Sequence, residues 1–217
     1  MASRKILLVE GKDDGHVLKH ICDNRNGLRF DEVKEHGSVE RLLESIPVRL
    51  KASGEGDIVG VVIDADTDLA ARWQSLRDKI VGVGYAGVPT IPSAEGTILD
   101  PPAGTLLPRV GIWLMPNNQT KGILEDFVRF LVPAGSILFE YVSASVAGIP
   151  SAEKRFSVLA EPKAIIHTWL AWQQEPGKPM GTAITARYLD SGVAEVDLLV
   201  GWLNRLFFTE SSQAISS

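Results

Sequence analysis

The sequence predicts an α/β protein in which helices cover both faces of a mainly parallel sheet, followed by a mostly helical C-terminal region. Two apolar segments, residues 4–10 and 57–63, are short and rich in aliphatic or β-branched side chains, which is typical of strands buried on both faces. A helix-like segment follows each of them, and this alternation favours a parallel sheet. Beyond Pro133 helical spacing dominates. We therefore expect an α/β domain over residues 1–132, with a helical region over residues 133–217 packed on it.

The first half of the chain contains three strand and helix pairs. The first strand leads into a helix that Asp13 or Asp14 caps. Residues 28–36 alternate apolar and charged side chains, which indicates a more exposed strand, and Ser38 then caps a second helix. The second apolar strand leads into a third helix, which begins near Leu69.

The second half is less regular. Residues 82–108 are rich in Gly, Pro and Thr and predict a loop with one or two short strands. The remaining pattern predicts a strand over residues 109–115 and helices over residues 122–131, 151–174, 181–190 and 194–208. We expect the tail after Glu210 to be frayed.

Composition limits the class of protein. The chain has 217 residues, 45% of them hydrophobic, and a formal net charge of −5, which describes an ordinary globular protein. Its single cysteine, Cys22, has no partner within the chain, so a cytoplasmic location is expected. No apolar run approaches the roughly 20 residues of a membrane-spanning helix, and residues 1–5 lead into a strand rather than a signal peptide. The 27 acidic residues outnumber the 22 basic ones, so the sequence lacks the basic excess of many nucleic-acid-binding proteins.

Acidic residues stand where two of the predicted strands end. Glu10 ends the first strand and Asp64 ends the second apolar strand, and ligands of parallel sheets bind outside the carboxyl ends of the strands. Asp66 and Asp68 extend this cluster. Clustered carboxylates repel one another unless a cation lies between them, and an oxygen-only ligand set favours Mg²⁺ or Mn²⁺ over zinc. The alternative is that Asp66 and Asp68 only cap the next helix.

Two segments resemble the signature of the Toprim superfamily. Residues 7–14, Leu-Leu-Val-Glu-Gly-Lys-Asp-Asp, resemble its glutamate after the first strand, and residues 61–66, Val-Val-Ile-Asp-Ala-Asp, resemble its Asp-x-Asp after the third. The chain is most similar to small stand-alone nuclease-type members. Residues 110–118 and 122–126, with the stretch that begins at His167, also resemble a bacterial Toprim-related family without an established function. Toprim proteins of known activity act on nucleic-acid phosphodiesters with Mg²⁺, so the resemblance, which covers residues 1–130, implies that chemistry.

The resemblance also implies roles by position. Asp64 and Asp66 match the metal ligands, and Glu10 matches a ligand or a general acid/base. Asp14 matches the acid four residues after the glutamate in nuclease-type members, where it would hold a second metal. Many Toprim domains place a glycine shortly after the Asp-x-Asp, whereas Asp68 is followed here by leucine and alanine, so the path of this loop departs from the pattern.

Further candidates lie around this cluster. Glu125 resembles the additional acid of some Toprim nucleases and is preferred to Asp126 for this role. A carboxylate also suits the start of a helix. Lys12 is placed to meet a phosphate oxygen, or is simply a solvated loop lysine. His36 ends the second strand at the same edge as Glu10 and is a candidate for acid/base work.

Other histidines and tryptophans have simpler explanations. His16 and His20 have a spacing that can bind zinc, but the sequence offers no third ligand nearby. The helix that carries His167, Trp169 and Trp172 is expected to pack its aromatic side chains in the C-terminal layer.

These features support three hypotheses. The leading one is a Mg²⁺- or Mn²⁺-dependent nuclease or phosphodiesterase that acts on DNA or RNA. A second is a haloacid-dehalogenase-like phosphatase with Asp64 as nucleophile, which fits less well because Asp68 stands where that motif has Thr or Val. A third is a partner-dependent or non-catalytic module of a larger defence or regulatory assembly, which binds metal or nucleotide. In that case the apolar stripe Leu198, Leu199, Trp202, Leu206 and Phe207 docks a protein partner or a second copy, unless it packs within the chain.

Overall fold

The computed structural model describes residues 3–54 and 56–208. Its strands are β1 (Lys5–Val9), β2 (Glu32–Glu35), β3 (Ile58–Asp64), β4 (Thr97–Leu99) and β5 (Arg109–Met115). Its helices are α1 (Lys12–Arg25), α2 (Val39–Ala52), α3 (Leu69–Val83), α4 (Leu124–Phe130), α5 (Ile137–Ala147), α6 (Glu161–Ala171), α7 (Met180–Thr185) and α8 (Ala194–Phe207). The tail after Glu210, predicted to be frayed, lies outside the described residues.

The strands form one sheet in the order β2-β1-β3-β5-β4. The first four strands in this order pair in parallel, and the short β4 pairs antiparallel with β5. The prediction of an α/β fold with a mainly parallel sheet and a helical C-terminal region is confirmed. Four strands therefore end at the same edge of the sheet, where Glu10 and Asp64 lie.

Helices cover both faces of the sheet because successive side chains of a strand point to opposite sides. On β1, Ile6 and Leu8 belong to a core formed with α2 and α3. Leu7 and Val9 belong to the core on the other face, which they share with α1, α4 and the C-terminal helices. The C-terminal region is thus part of the packing that buries the sheet.

Helix α8 lies directly on the sheet because two glycines leave room for it. Gly60 of β3 and Gly111 of β5 are neighbours in the register. A Cβ at Gly111 would lie 2.4 Å from Leu206, and one at Gly60 would lie 3.0 Å from Phe207. Within the predicted apolar stripe, Leu198 is 39% exposed, whereas the others are buried against the sheet. Apart from Leu198, the stripe therefore packs within the chain.

The predicted helices of the C-terminal region need correction. The helix predicted over residues 151–174 is shorter, because a 3₁₀ turn at Val158–Ala160 precedes α6. Helix α5 was not predicted, because its apolar residues do not form one face: Ile137 is exposed and Val142 is buried. The helix predicted over residues 181–190 ends at Thr185, and Arg187 beyond it has a φ of 62°.

Two predictions in the first half also change. The strand predicted over residues 28–36 is reduced to β2, since pairing with β1 begins only at Glu32. The N-cap of α1 is Gly11 rather than Asp13 or Asp14, and Asp14 instead accepts a hydrogen bond from the Gly11 backbone N–H at 2.9 Å. The predicted cap of α2 by Ser38 is confirmed. Among the described residues, no helix is both long enough and apolar enough to cross a bilayer.

Candidate functional site

The carboxyl ends of β1 and β3 open onto a cavity of about 250 Å³, here called the acidic cavity. Glu10 lines it from the end of β1, and Asp64 from the end of β3. Asp14 reaches it from the first turn of α1, and Glu125 from the first turn of α4. Four of the acids singled out in the sequence therefore meet at one place.

Backbone contacts between two loops bring Glu125 to this place. The Asp66 N–H donates to the Gly122 carbonyl at 2.9 Å, and the Ala65 N–H donates to the Met115 carbonyl at 3.2 Å. Gly122 has a φ of 146°, and a Cβ there would lie 2.7 Å from Asp126. Because the chain turns at this glycine, α4 starts beside the loop that follows β3.

Three carboxylates of the acidic cavity have an oxygen that lacks a hydrogen-bond partner. These buried atoms are Glu10 Oε2, Asp14 Oδ1 and Asp64 Oδ1. A buried polar atom without a partner costs free energy, and native proteins rarely tolerate it without a reason. Three such oxygens beside one cavity fit the ligand preference of Mg²⁺ and Mn²⁺.

Burial and mutual repulsion make these acids hard to ionise. Burial, followed by the negative charges of Asp14 and Glu10, raises the pKa of Asp64 to about 9. Burial and the neighbouring Asp14 likewise raise the pKa of Glu10 to about 7. Burial is also the main cause that raises the pKa of Asp14 to about 6. A bound divalent cation would reverse this effect, since its charge stabilises the ionised carboxylates.

Asp66 lies beside the cavity with its side chain occupied. It forms an ion pair with Arg72, the fourth residue of α3. Asp66 has a φ of 53°, an uncommon conformation for a residue other than glycine. Arg72 is only 16% exposed at its side chain, and its Nε has no hydrogen-bond partner. The guanidinium therefore neutralises Asp66 at the position where the sequence predicts a metal ion.

Helix α6 brings a lysine and a histidine close to Glu125. Lys163 Nζ lies 3.4 Å from Glu125 Oε1, and His167 Nε2 lies 3.8 Å from it. Burial acts to raise the pKa of Glu125, but its interactions with the nearby His167 and Lys163 side chains outweigh burial, so the pKa is lowered. Lys163 also lines the acidic cavity, as Lys12 does from the start of α1.

Asp68 and His36 have structural partners instead. Asp68 is the N-cap of α3, where its Oδ1 accepts from the Ala71 N–H at 2.9 Å. Of Asp66 and Asp68, the two residues predicted as alternatives to cap this helix, only Asp68 is its N-cap. The two ring nitrogens of His36 contact the Val9 carbonyl at 3.1 Å and the Ser45 hydroxyl at 2.8 Å. Neither Asp68 nor His36 lines the acidic cavity.

The side chains do not form a ready-made metal centre. Within residues 3–54 and 56–208, no three His, Cys, Asp or Glu side chains are arranged to hold a metal ion together. The ring centroids of His16 and His20 lie 5.0 Å apart, and His20 Nδ1 contacts the Thr185 hydroxyl. Asp66 is held by Arg72, so a cation in the acidic cavity would have to rely first on the unpaired oxygens of Glu10, Asp14 and Asp64.

Sequence reasoning missed the cationic side of the site. Arg72 lies in the helix that follows Asp66, and no common sequence motif predicts an ion pair at this spacing of six residues. Lys163 and His167 are four residues apart, so α6 presents them on one face, but only the tertiary packing brings that face to Glu125. The sequence interpretation had placed His167 in a packing helix, and its side chain is in fact 48% exposed.

Fold and site together define an α/β protein with an acidic cavity at the carboxyl edge of a parallel sheet. The chain belongs to the family described as "Protein of unknown function (DUF3226)", whose model matches residues 4–208. That match spans the sheet as well as the C-terminal helices. Neither the curated proteins nor the solved structures gave a match.

Proposed function

We propose that this protein is a Mg²⁺- or Mn²⁺-dependent phosphodiesterase or nuclease. The observation that carries the proposal is the set of three unpaired carboxylate oxygens, from Glu10, Asp14 and Asp64, beside one cavity. The resemblance of residues 7–14 and 61–66, which include these three acids, to the Toprim signature also supports it. A fold alone gives no activity, so the proposal rests on this site.

The residues of the acidic cavity suit distinct tasks in such a reaction. Asp14 and Asp64 would hold the cation, whose positive charge would stabilise the charge that develops on the phosphoryl oxygens. Glu10 lines the same cavity beside them and is the candidate to exchange a proton with the attacking or departing oxygen. Lys12 and Lys163 line the same cavity and can contact phosphate oxygens.

Asp66 would join the cation only after leaving Arg72. That exchange is chemically reasonable, because the guanidinium released from Asp66 becomes available to a phosphate, which it can bind through two hydrogen bonds. Asp66 therefore keeps its proposed role as a ligand, with Arg72 as the group that neutralises it in the absence of a cation.

Cleavage of nucleic acids tests the proposal directly. We would incubate labelled single- and double-stranded DNA and RNA with the protein and Mn²⁺ or Mg²⁺, beside the D64N/D66N variant. The expected result is cleavage that requires the cation and is lost in the variant. D78N is the matched control, because Asp78 is an exposed residue of α3 that contacts Gln74. Cleavage that survives D64N/D66N would place the activity elsewhere.

A second candidate is the partner-dependent module. Its supporting observation is that Arg72 and Lys163 neutralise acids of the site. In addition, Ile137 and Tyr141 of α5 and Trp172, which follows α6, are apolar side chains exposed at 80%, 65% and 45%. A folded wild-type protein that cleaves no substrate but sediments as a dimer or copurifies with one defined partner would favour this module.

We further propose a cytoplasmic location, which rests on the single buried Cys22.

A further inference from the structure

A second cavity lies next to the acidic cavity, in a groove between α1 and β2. The groove has a volume of about 580 Å³, which is in the range of small-molecule sites. Lys12 and Asp13 line both the groove and the acidic cavity, so the two spaces adjoin at the start of α1. None of the roles proposed above uses the rest of this groove.

The floor of the groove is apolar. Leu28, Phe30 and Val33 line it, and Val33 is 40% exposed although it is a β-branched aliphatic residue. Gly15 of α1 also lines the groove, and a Cβ there would lie 3.1 Å from Val33 Cγ1, so a side chain at this position would crowd the floor. Phe30 packs its ring edge-on against Phe207 at 5.5 Å between centroids, which holds it at the floor.

Two lysines on one face of α1 lie at the rim of the groove. Lys12, His16 and Lys19 line it from successive turns of α1, and all three are exposed. Seven residues of helix separate the two lysines by about 10 Å along the helix axis. Arg29 adds a further cation, although it pairs with Asp23, and Asp13 and Glu35 are the acids of the lining. The lining therefore holds three basic side chains and two acidic ones.

We propose that this groove binds a nucleotide unit, with its base on the apolar floor and its phosphate on Lys12 and Lys19. An apolar floor with an aromatic ring suits the flat face of a base, and a row of lysines suits the anion attached to it. The unit belongs either to a free mononucleotide or to a single strand, because the bases of a duplex are stacked and paired. For a single strand, the phosphodiester next to Lys12 would reach the acidic cavity, and this last step alone rests on the proposed function.

Binding in the presence of a chelator tests the groove without any cleavage. We would measure fluorescence anisotropy of short labelled single-stranded DNA and RNA in EDTA, and compete them with AMP. K19E reverses a charge on the rim, and V33E places a carboxylate on the floor at a side chain that is already partly exposed. K51E is the matched control, because Lys51 is an exposed residue at the opposite end of α2 from the acidic cavity.

We expect K19E and V33E each to weaken binding about tenfold, because one replaces a phosphate contact by a negative charge and the other places a charge on the floor that takes the base. K19E should also lower the slope of log affinity against log salt by about 1, whereas K51E should bind like the wild type. Competition by millimolar AMP would identify a free nucleotide as sufficient, and binding of the strand alone would identify the single strand as the source.

Three outcomes would overturn the inference. They are a wild type that binds neither probe, variants K19E and V33E that bind as tightly as the wild type, and loss of binding in K19E but not in V33E. Loss of binding in K19E alone would show that the lysines attract the nucleic acid but that the apolar floor does not bind a base. A protein that binds in EDTA but cleaves nothing with Mn²⁺ would refute the proposed nuclease and leave this inference standing.

Discussion

Replacing Asp64 by asparagine should stabilise the cation-free protein. The side chain keeps its size, but it no longer has to be protonated, or carry a charge beside Glu10 and Asp14, in the folded state. Most substitutions of partly buried polar residues destabilise a protein, so a gain in stability would mark Asp64 as a residue kept for a purpose other than folding.

The size of the effect follows from the pKa of Asp64, which is raised from 3.8 to about 9 in the folded protein. Below pH 3.8 the carboxyl is protonated in both states, and it contributes nothing. Between the two pKa values only the folded state holds the proton, so the stability of the wild type falls as pH rises and then levels off above about pH 9. At about 1.4 kcal/mol for each pKa unit, the penalty at pH 7 is at most about 4 kcal/mol. Solvent that enters the open cavity screens part of it, so we expect a gain of about 1–3 kcal/mol in D64N.

Chemical denaturation in EDTA at several pH values between 5 and 9 measures this effect. The difference between D64N and the wild type should grow with pH, and the control D78N should show no such trend. Added Mn²⁺ should then stabilise the wild type, by about 3 kcal/mol at a concentration of one hundred times its dissociation constant, and should stabilise D64N much less. A difference that is absent or independent of pH would refute the reasoning, since Asp64 would then be ionised at no cost.

Three further predictions concern the same structure. D68A should lower the free energy of unfolding by about 1 kcal/mol through loss of the α3 cap, whereas D68N, which can still accept the Ala71 N–H, should change it little; thermal melts distinguish the two. Binding of Mn²⁺ should tighten from pH 6 to pH 9 and should release protons, because the pKa values of Glu10, Asp14 and Asp64 are all raised; calorimetry in buffers of different ionisation enthalpy would show this, and binding without proton release would contradict it. G111A should destabilise the protein by about 1–3 kcal/mol because its Cβ would meet Leu206 at 2.4 Å, and a denaturation midpoint equal to that of the wild type would show that α8 moves freely on the sheet.

The sheet was predictable because buried parallel strands must be apolar along their whole length. The segments that became β1, β3 and β5 are short, continuous and bounded by charge or turn residues, so no helix competes for them. Helix α5 was not predictable in this way. Its apolar residues lie on all sides of the helix: Val142 faces the core, whereas Ile137 and Tyr141 face solvent. The sequence therefore shows no helical periodicity of apolar residues in this segment.

The acidic half of the site was predictable from a rule of topology. Glu10 and Asp64 follow strands that run the same way, and such strands must end at one edge of the sheet. The part played by each acid in the following loop was not predictable, because a carboxylate serves equally as a helix cap or as a ligand. The hydrogen bond from the Ala71 N–H shows that Asp68 caps α3. The ion pair with Arg72 shows that the side chain of Asp66 is paired in the absence of a cation.

The close seat of α8 on Gly60 and Gly111 has a consequence for the synthesis of the protein. Domains begin to fold from the N-terminus as the chain leaves the ribosome. When α4 has emerged, the carboxylates of Glu10, Asp64 and Glu125 are all present, but Lys163 is not, and the face of the sheet that α8 covers is still bare. An incomplete chain therefore combines clustered carboxyl groups with an exposed apolar surface, and α8, the last helix of the described residues, is needed to cover that surface. Any mutation that truncates the chain before Phe207 should therefore cause degradation of the protein before a change in its chemistry can be measured.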